Sequence, residues 1–235
     1  MEKKADHTCK HFQLTIYYKT ECKGCAEMNL TELKEQVLKY AQQAYTDGLI
    51  AGTSGNLSVL SKDGKMVITP SGIHYMTMTA EDVMVIELDG TIVEGSHKPS
   101  SEWQMHAEIY KNKPEVRSVV HTHSPYATAF AVLNEPIPPI LIEMVYSFKG
   151  EVPIAPVASQ GTVSVGEGVA KALQNGTACL MQNHGAVTIG QDLPKAYIRA
   201  VYLEDAARAY HMARAIGTPT LVPDEMAQEM LARVQ

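Results

Sequence analysis

Val119-Val120-His121-Thr122-His123 is the stretch from which the fold of this chain can be read. Two valines ahead of a His-x-His describe a buried strand, and strand alternation puts both imidazoles on one face, as a metal requires. Working outward, Glu102 stands upstream in Ser100-Ser101-Glu102, and a third histidine stands downstream in Gln182-Asn183-His184-Gly185. Three neutral imidazoles and one oxygen ligand suit zinc, with manganese or cobalt as alternatives. A lone His-x-His carries little weight, so the surroundings must decide.

The surroundings are regular from Asn29 onward. Asn29-Leu30-Thr31-Glu32 has the form of a capping box, and Leu33, Val37, Leu38, Ala41, Ala44 and Tyr45 follow at helical spacing. Gly48 stops that helix. Residues 57–60 and 66–69 flank Lys62-Asp63-Gly64, and residues 83–88 and 91–93 flank Asp89-Gly90, two hairpin signals. The spacing predicts a helix over about 101–111, the strand 116–122, and a further helix opened by Ser124-Pro125. Late strands over 178–181 and 186–189 bracket His184, and a long last helix runs over about 193–216. Hairpins alternate with helices without regular β-α-β spacing. The expected fold is therefore a three-layer α/β (α-β-α) domain with a central, mainly antiparallel sheet flanked by helices on both faces.

Composition agrees with one large domain. The 235 residues are 45% hydrophobic, enough for a sizeable core, and no run approaches a membrane span. A net charge of −6 argues against a nucleic-acid or anionic-membrane partner but permits a phosphorylated small substrate. The polar N-terminus lacks the apolar segment of a signal peptide, so a cytoplasmic location is expected. Residues 1–28 form an extension to the domain at 29–235. Within it Cys9, His11, Cys22 and Cys25 could form a small metal knuckle, although incidental thiols are the simpler reading.

Three more motifs lie around the metal candidates. Gly52-Thr53-Ser54-Gly55-Asn56 and Thr69-Pro70-Ser71-Gly72 are small and hydroxyl-rich, able to wrap an anion. Pro99-Ser100-Ser101-Glu102 sets two serines where a helix begins, so exposed N–H groups could face a phosphate. Each alone is an ordinary turn or cap. Their combination with His121, His123, His184 and Glu102 is not.

With these motifs, GTSGN (52–56), ITPSGI (68–73), PSSEW (99–103), VVHTH (119–123) and NHG (183–185), the sequence from about 29 to 216 resembles the class II aldolase and adducin-head family. The resemblance implies a homotetrameric, zinc-dependent lyase with active sites between subunits. It would cleave an L-fuculose-1-phosphate-like ketose phosphate to dihydroxyacetone phosphate and an aldehyde through a metal-stabilised ene-diolate. Carried over by motif, His121, His123 and His184 would bind the metal, and Glu102 would be its fourth ligand and then the catalytic proton carrier. Asn56, Ser71, Gly72, Ser100 and Ser101 would hold the phosphate. One departure is visible: an ungapped match puts Ile142 where the family has a proton-donating tyrosine, with Tyr146 one helical turn later.

The chemistry is consistent with those residue types. Breaking a carbon–carbon bond beside a ketone leaves negative charge that needs a Lewis acid in a preorganised site. A Lys Schiff base is then unnecessary. His106, four residues after Glu102, is expected to support the site without ligating; His74, His97 and His211 are expected to be exposed or packing residues, and Trp103 and the methionines core. Sister reactions on the same scaffold are a sugar-acid phosphate decarboxylase, a pentulose-phosphate 4-epimerase and a methylthioribulose-phosphate dehydratase. A non-catalytic, adducin-like association module would require the ligands to be missing, and all are present.

Overall fold

In a computed structural model, the described residues are 28–159 and 161–233. The possible knuckle of Cys9, His11, Cys22 and Cys25 lies outside them. Among the described residues, eight strands form one sheet: β1 (Asn56–Leu60), β2 (Met66–Ile68), β3 (Met84–Ile86), β4 (Ile92–Glu94), β5 (Ser118–Thr122), β6 (Ile154–Ala155), β7 (Ala178–Met181) and β8 (Gly185–Gly190). Their order is β4-β3-β2-β1-β5-β8-β7-β6, antiparallel except for the β6–β7 pair. The helices are α1 (Leu30–Thr46), α2 (Trp103–Asn112), α3 (Pro125–Leu133), α4 (Ile142–Phe148), α5 (Val163–Ala172), α6 (Leu193–Ile216) and α7 (Asp224–Ala232).

Alternation along the strands sorts the helices into two layers. Val119, Val187 and Ile189 pack with Met105 and Ile109 of α2 and Val165 and Val169 of α5. Their neighbours on the opposite face pack elsewhere: Val120 with α1 and the start of α6, and Leu180 and Ala186 with α3, α4 and the middle of α6. Both faces are covered, so β5 and β8 are buried along their whole length. Each fully buried valine in them contributes roughly 1.5–3 kcal/mol. The expected three-layer architecture is the one observed.

Local chemistry sets the element ends. The capping box is formed: the Glu32 N–H donates to Asn29 Oδ1 at 3.1 Å, and the Asn29 N–H to Glu32 Oε2 at 2.7 Å. Asp192 caps α6 through the Lys195 N–H at 2.7 Å. The elements β6, α4, α5 and α7 carry no pattern strong enough to have been anticipated. Several bounds shift: α2 begins at Trp103, with Glu102 as its N-cap, β5 begins at Ser118, and β3 is confined to Met84–Ile86. Met76, Met212 and Met226 are exposed, which corrects the expectation that the methionines are core, and Trp103 is only partly buried. His74 packs on the Tyr45 ring, His211 lies against Tyr126, and His97 pairs with Asp82 at 2.9 Å. No helix among the described residues is long and apolar enough to cross a membrane.

Candidate active site

His121 ends up on the α2 side of the sheet with Val119, as alternation requires, and His123 follows on the same side just past β5. His184 enters from the turn between β7 and β8. That turn places Asn183 in the left-handed region (φ 57°) and bonds its N–H to the Ala131 carbonyl at 3.1 Å, fixing it to the end of α3. The three rings form a tight triangle, with centroids 4.8, 4.8 and 4.9 Å apart. One potential ligand atom from each lies within 4.8 Å of the others. Gly185 permits this convergence: a Cβ there would lie 2.3 Å from the Thr122 carbonyl oxygen and 3.2 Å from His121 Cε1.

Hydrogen bonding decides which nitrogen is available. His121 Nδ1 is 3.0 Å from the Ala186 carbonyl oxygen, which can only accept, so Nδ1 carries a proton and Nε2 is the nitrogen left to face the site. That Nε2 is 3.0 Å from His123 Nε2 and 3.2 Å from Glu102 Oε2. Glu102 Oε1 is 3.4 Å from His184 Nε2, is buried, and has no hydrogen-bond partner. Burial lowers His123 to about 4, with His121 and His184 adding to the effect, and burial lowers His184 as well. At neutral pH these two imidazoles are uncharged donors. Burial pushes the Glu102 carboxyl up, but His121, His184 and the Asn56 amide outweigh it and hold the group well below the usual carboxylate range. Converging nitrogen lone pairs and an orphaned carboxylate oxygen make a donor set that fits a divalent cation.

The three loop motifs are tied to one another and to Glu102. The Tyr75 hydroxyl donates to the Gly55 carbonyl at 2.6 Å, joining the 52–56 loop to the segment after Ser71-Gly72. The Ser71 N–H bonds to the Lys98 carbonyl at 2.9 Å and the Ser100 N–H to the Thr69 carbonyl at 3.0 Å, so the two serine loops run side by side. Ser71, Gly72 and Ser101 are exposed, whereas Ser100 is buried with its Oγ accepting the Glu102 N–H at 3.3 Å. Asn56 departs from a purely ligand-facing role. Its amide is engaged within the protein, accepting from His106 Nε2 at 2.6 Å and donating to Glu102 Oε2 at 2.8 Å. Ser58 and Tyr110, which continue that contact behind His106, had no motif to mark them. Ile142 opens α4 and Tyr146 follows one turn later, 52% and 39% exposed.

The model of the Class II Aldolase and Adducin N-terminal domain family matches residues 35–211. The chain is 31% identical over 210 residues to 5-deoxy-D-ribulose 1-phosphate aldolase of Bacillus thuringiensis, covering 88% of this chain and 98% of that one. It is 37% identical over 195 residues to L-fuculose phosphate aldolase of Escherichia coli, covering 83% and 90%. A solved L-fuculose 1-phosphate aldolase structure superposes with a TM-score of 0.83 at 34% identity, covering 86% and 96%. In sequence and fold alike, this chain belongs to the class II aldolase and adducin N-terminal domain family.

Proposed function

We propose that this chain is a zinc-dependent aldolase that cleaves a ketose 1-phosphate to dihydroxyacetone phosphate and an aldehyde. The observation that carries the reading is the convergence of His121, His123 and His184 on a buried carboxylate, beside two hydroxyl-bearing loops. Relatives named as 5-deoxy-D-ribulose 1-phosphate and L-fuculose 1-phosphate aldolases support the substrate class. In this reading His121, His123 and His184 would hold the zinc, with Glu102 as a fourth ligand. Bound zinc supplies a Lewis acid for the negative charge that develops on the ketone oxygen.

The residues of the chain do the rest. Ser71, Gly72, Ser100 and Ser101 hold the phosphate, with Asn56 offering its second amide hydrogen, and so fix the reacting carbons over the site. Glu102 Oε1 moves the proton: it removes one from dihydroxyacetone phosphate in synthesis and returns one to the carbon left behind in cleavage. The exposed Val132, Leu133 and Ile142 on α3 and α4 support a homotetramer with sites between subunits, and a cytoplasmic location completes the reading.

Incubation of zinc-loaded protein with a panel of phosphorylated ketoses and sugar-acid phosphates tests the proposal. Dihydroxyacetone phosphate and an aldehyde in equal amounts are expected. Release of carbon dioxide, loss of water or simple epimerisation would replace the aldolase reading with a sister reaction.

A further inference from the structure

Behind the candidate zinc ligands runs a buried chain of side chains. The Tyr110 hydroxyl lies 2.7 Å from Ser58 Oγ, which lies 2.6 Å from His106 Nδ1. His106 Nε2 lies 2.6 Å from Asn56 Oδ1, and Asn56 Nδ2 donates to Glu102 Oε2 at 2.8 Å. All five residues are buried, His106 and Ser58 completely. Secondary structure makes the alignment. Asn56 and Ser58 are two apart on β1 and share a face, while Glu102, His106 and Tyr110 are four apart along α2 from its N-cap. Asn56 also pairs directly with His121 in the β1–β5 ladder, so this zipper ends at the triad.

Every hydrogen in the chain has only one consistent place. An ionised Glu102 only accepts, so Asn56 presents its NH2 to it and its Oδ1 to His106. That oxygen also only accepts, so His106 carries its proton on Nε2. A neutral imidazole then has a lone pair on Nδ1, which the Ser58 hydroxyl fills, and Ser58 in turn accepts from Tyr110. Reversing any one link would set two lone pairs or two hydrogens face to face among buried side chains, a costly arrangement.

We infer that Ser58 and His106 are positioning residues for Glu102: they lock the Asn56 amide so that Oε2 is always bonded and Oε1 alone is left to carry the proton. The inference rests on the acid–base reading of Glu102 given above. Without the lock, Asn56 can rotate by half a turn and present its oxygen to the carboxylate, which then turns or takes up a proton. The three imidazoles and the serine loops are not part of this chain of contacts, so zinc binding and most of the phosphate contact are left in place.

The test is a set of variants in zinc-loaded protein. His106→Leu should keep stoichiometric zinc and a KM within about threefold of wild type, and lose about 10- to 100-fold in kcat, the usual effect of removing a partner behind a ligand. His106→Gln, whose amide can donate from the Nε2 position, should recover most of that loss. Ser58→Ala should show a smaller fall in kcat in the same direction. In Glu102→Gln protein, His106→Leu should bring no further loss beyond about twofold, because it acts through Glu102. Long-range proton–nitrogen spectra of histidine-labelled protein should show His106 as the neutral Nε2–H tautomer. Unchanged kcat in a folded His106→Leu protein, an Nδ1–H tautomer, or an equal further loss in the Glu102→Gln background would each overturn the lock. A fully active Glu102→Gln protein would instead overturn the acid–base reading itself. If His106→Leu does not fold, His106→Gln, Ser58→Ala and the tautomer decide.

Discussion

His121 and Ala186 face each other across the β5–β8 ladder, one register step apart, with the imidazole Nδ1 3.0 Å from the Ala186 carbonyl oxygen. A backbone carbonyl therefore assigns the proton on a candidate ligand and turns its Nε2 toward His123 and Glu102. The sheet positions the ring and sets its tautomer.

Metal dependence is the first expected outcome. Chelation should abolish turnover, and added zinc should restore it. His121→Ala, His123→Ala and His184→Ala should each fall from stoichiometric to trace zinc by elemental analysis. Stoichiometric metal in all three variants would remove the triad from the ligand set.

Glu102→Gln separates binding from proton transfer. The amide keeps the shape and an oxygen donor, but cannot accept a proton near neutral pH. Zinc content and KM should stay near those of wild type while kcat falls by about 10²- to 10⁴-fold. Steady-state kinetics with undiminished kcat would assign the proton transfer elsewhere.

Gly185→Ala probes the close approach that gathers the rings. Its Cβ would meet the Thr122 carbonyl oxygen at 2.3 Å and His123 Cδ2 at 3.1 Å. Neither neighbour can move without shifting a histidine. The variant should lose about 1–3 kcal/mol of stability by overpacking, a melting point lower by a few degrees, and should bind zinc more weakly. Calorimetry with and without zinc measures both effects.

Much of this site is legible in the sequence because its parts are local. Val119 to His123 alternates as a strand does, the capping box before α1 lies within four residues, and each loop motif is contiguous. What could not be read is what depends on packing between distant segments. Ser58 looks like one more strand residue, and Tyr110 like an ordinary core aromatic; only the placement of α2 against β1 gives them partners. The role of Asn56 shifted for the same reason, since its amide meets His106 50 positions away. The short β6 and the helices α4, α5 and α7 have too few patterned residues to stand out before the sheet supplies a surface for them.

His106 also gives stability a pH dependence. Burial lowers its pKa to about 3 in the folded protein, His121 adding and Glu102 opposing, against an ordinary value near 6.5 in the unfolded chain. Below pH 6.5 the unfolded chain binds a proton that the folded one does not, so stability falls as pH drops through the window from 6.5 toward 3. Between pH 7 and pH 5 the loss from this one group is roughly 2 kcal/mol. Glu102 is lowered from the ordinary carboxylate value near 4.5, so its own loss begins only as pH falls toward that value, below the pH 7 to 5 comparison. Denaturant titrations at the two pH values should show wild type losing more than His106→Gln by about that amount. The other histidines are common to both proteins and cancel. Equal losses would mean that His106 is protonated in the fold.

The substrate handle is the last expectation. The Ser100 hydroxyl accepts from the Glu102 N–H and still has its own hydrogen to give, and Ser71 is exposed in the loop bonded alongside. If both face a phosphate, they supply binding remote from the bond that breaks, and this binding is nearly equal in ground and transition states. Ser71→Ala and Ser100→Ala should then raise KM for a ketose 1-phosphate, each lost hydrogen bond to a charged group costing about 1.5–3 kcal/mol. Some loss of kcat should accompany this, greater for Ser100, because its Oγ also steadies the N-cap that carries Glu102. The unphosphorylated ketose makes the comparison decisive. Wild type should prefer the phosphate ester strongly, and the variants should lose much of that preference, with Ser71→Ala handling the free sugar almost as wild type does. A preference that survives both substitutions would leave these loops as turns and caps, and would place the phosphate elsewhere.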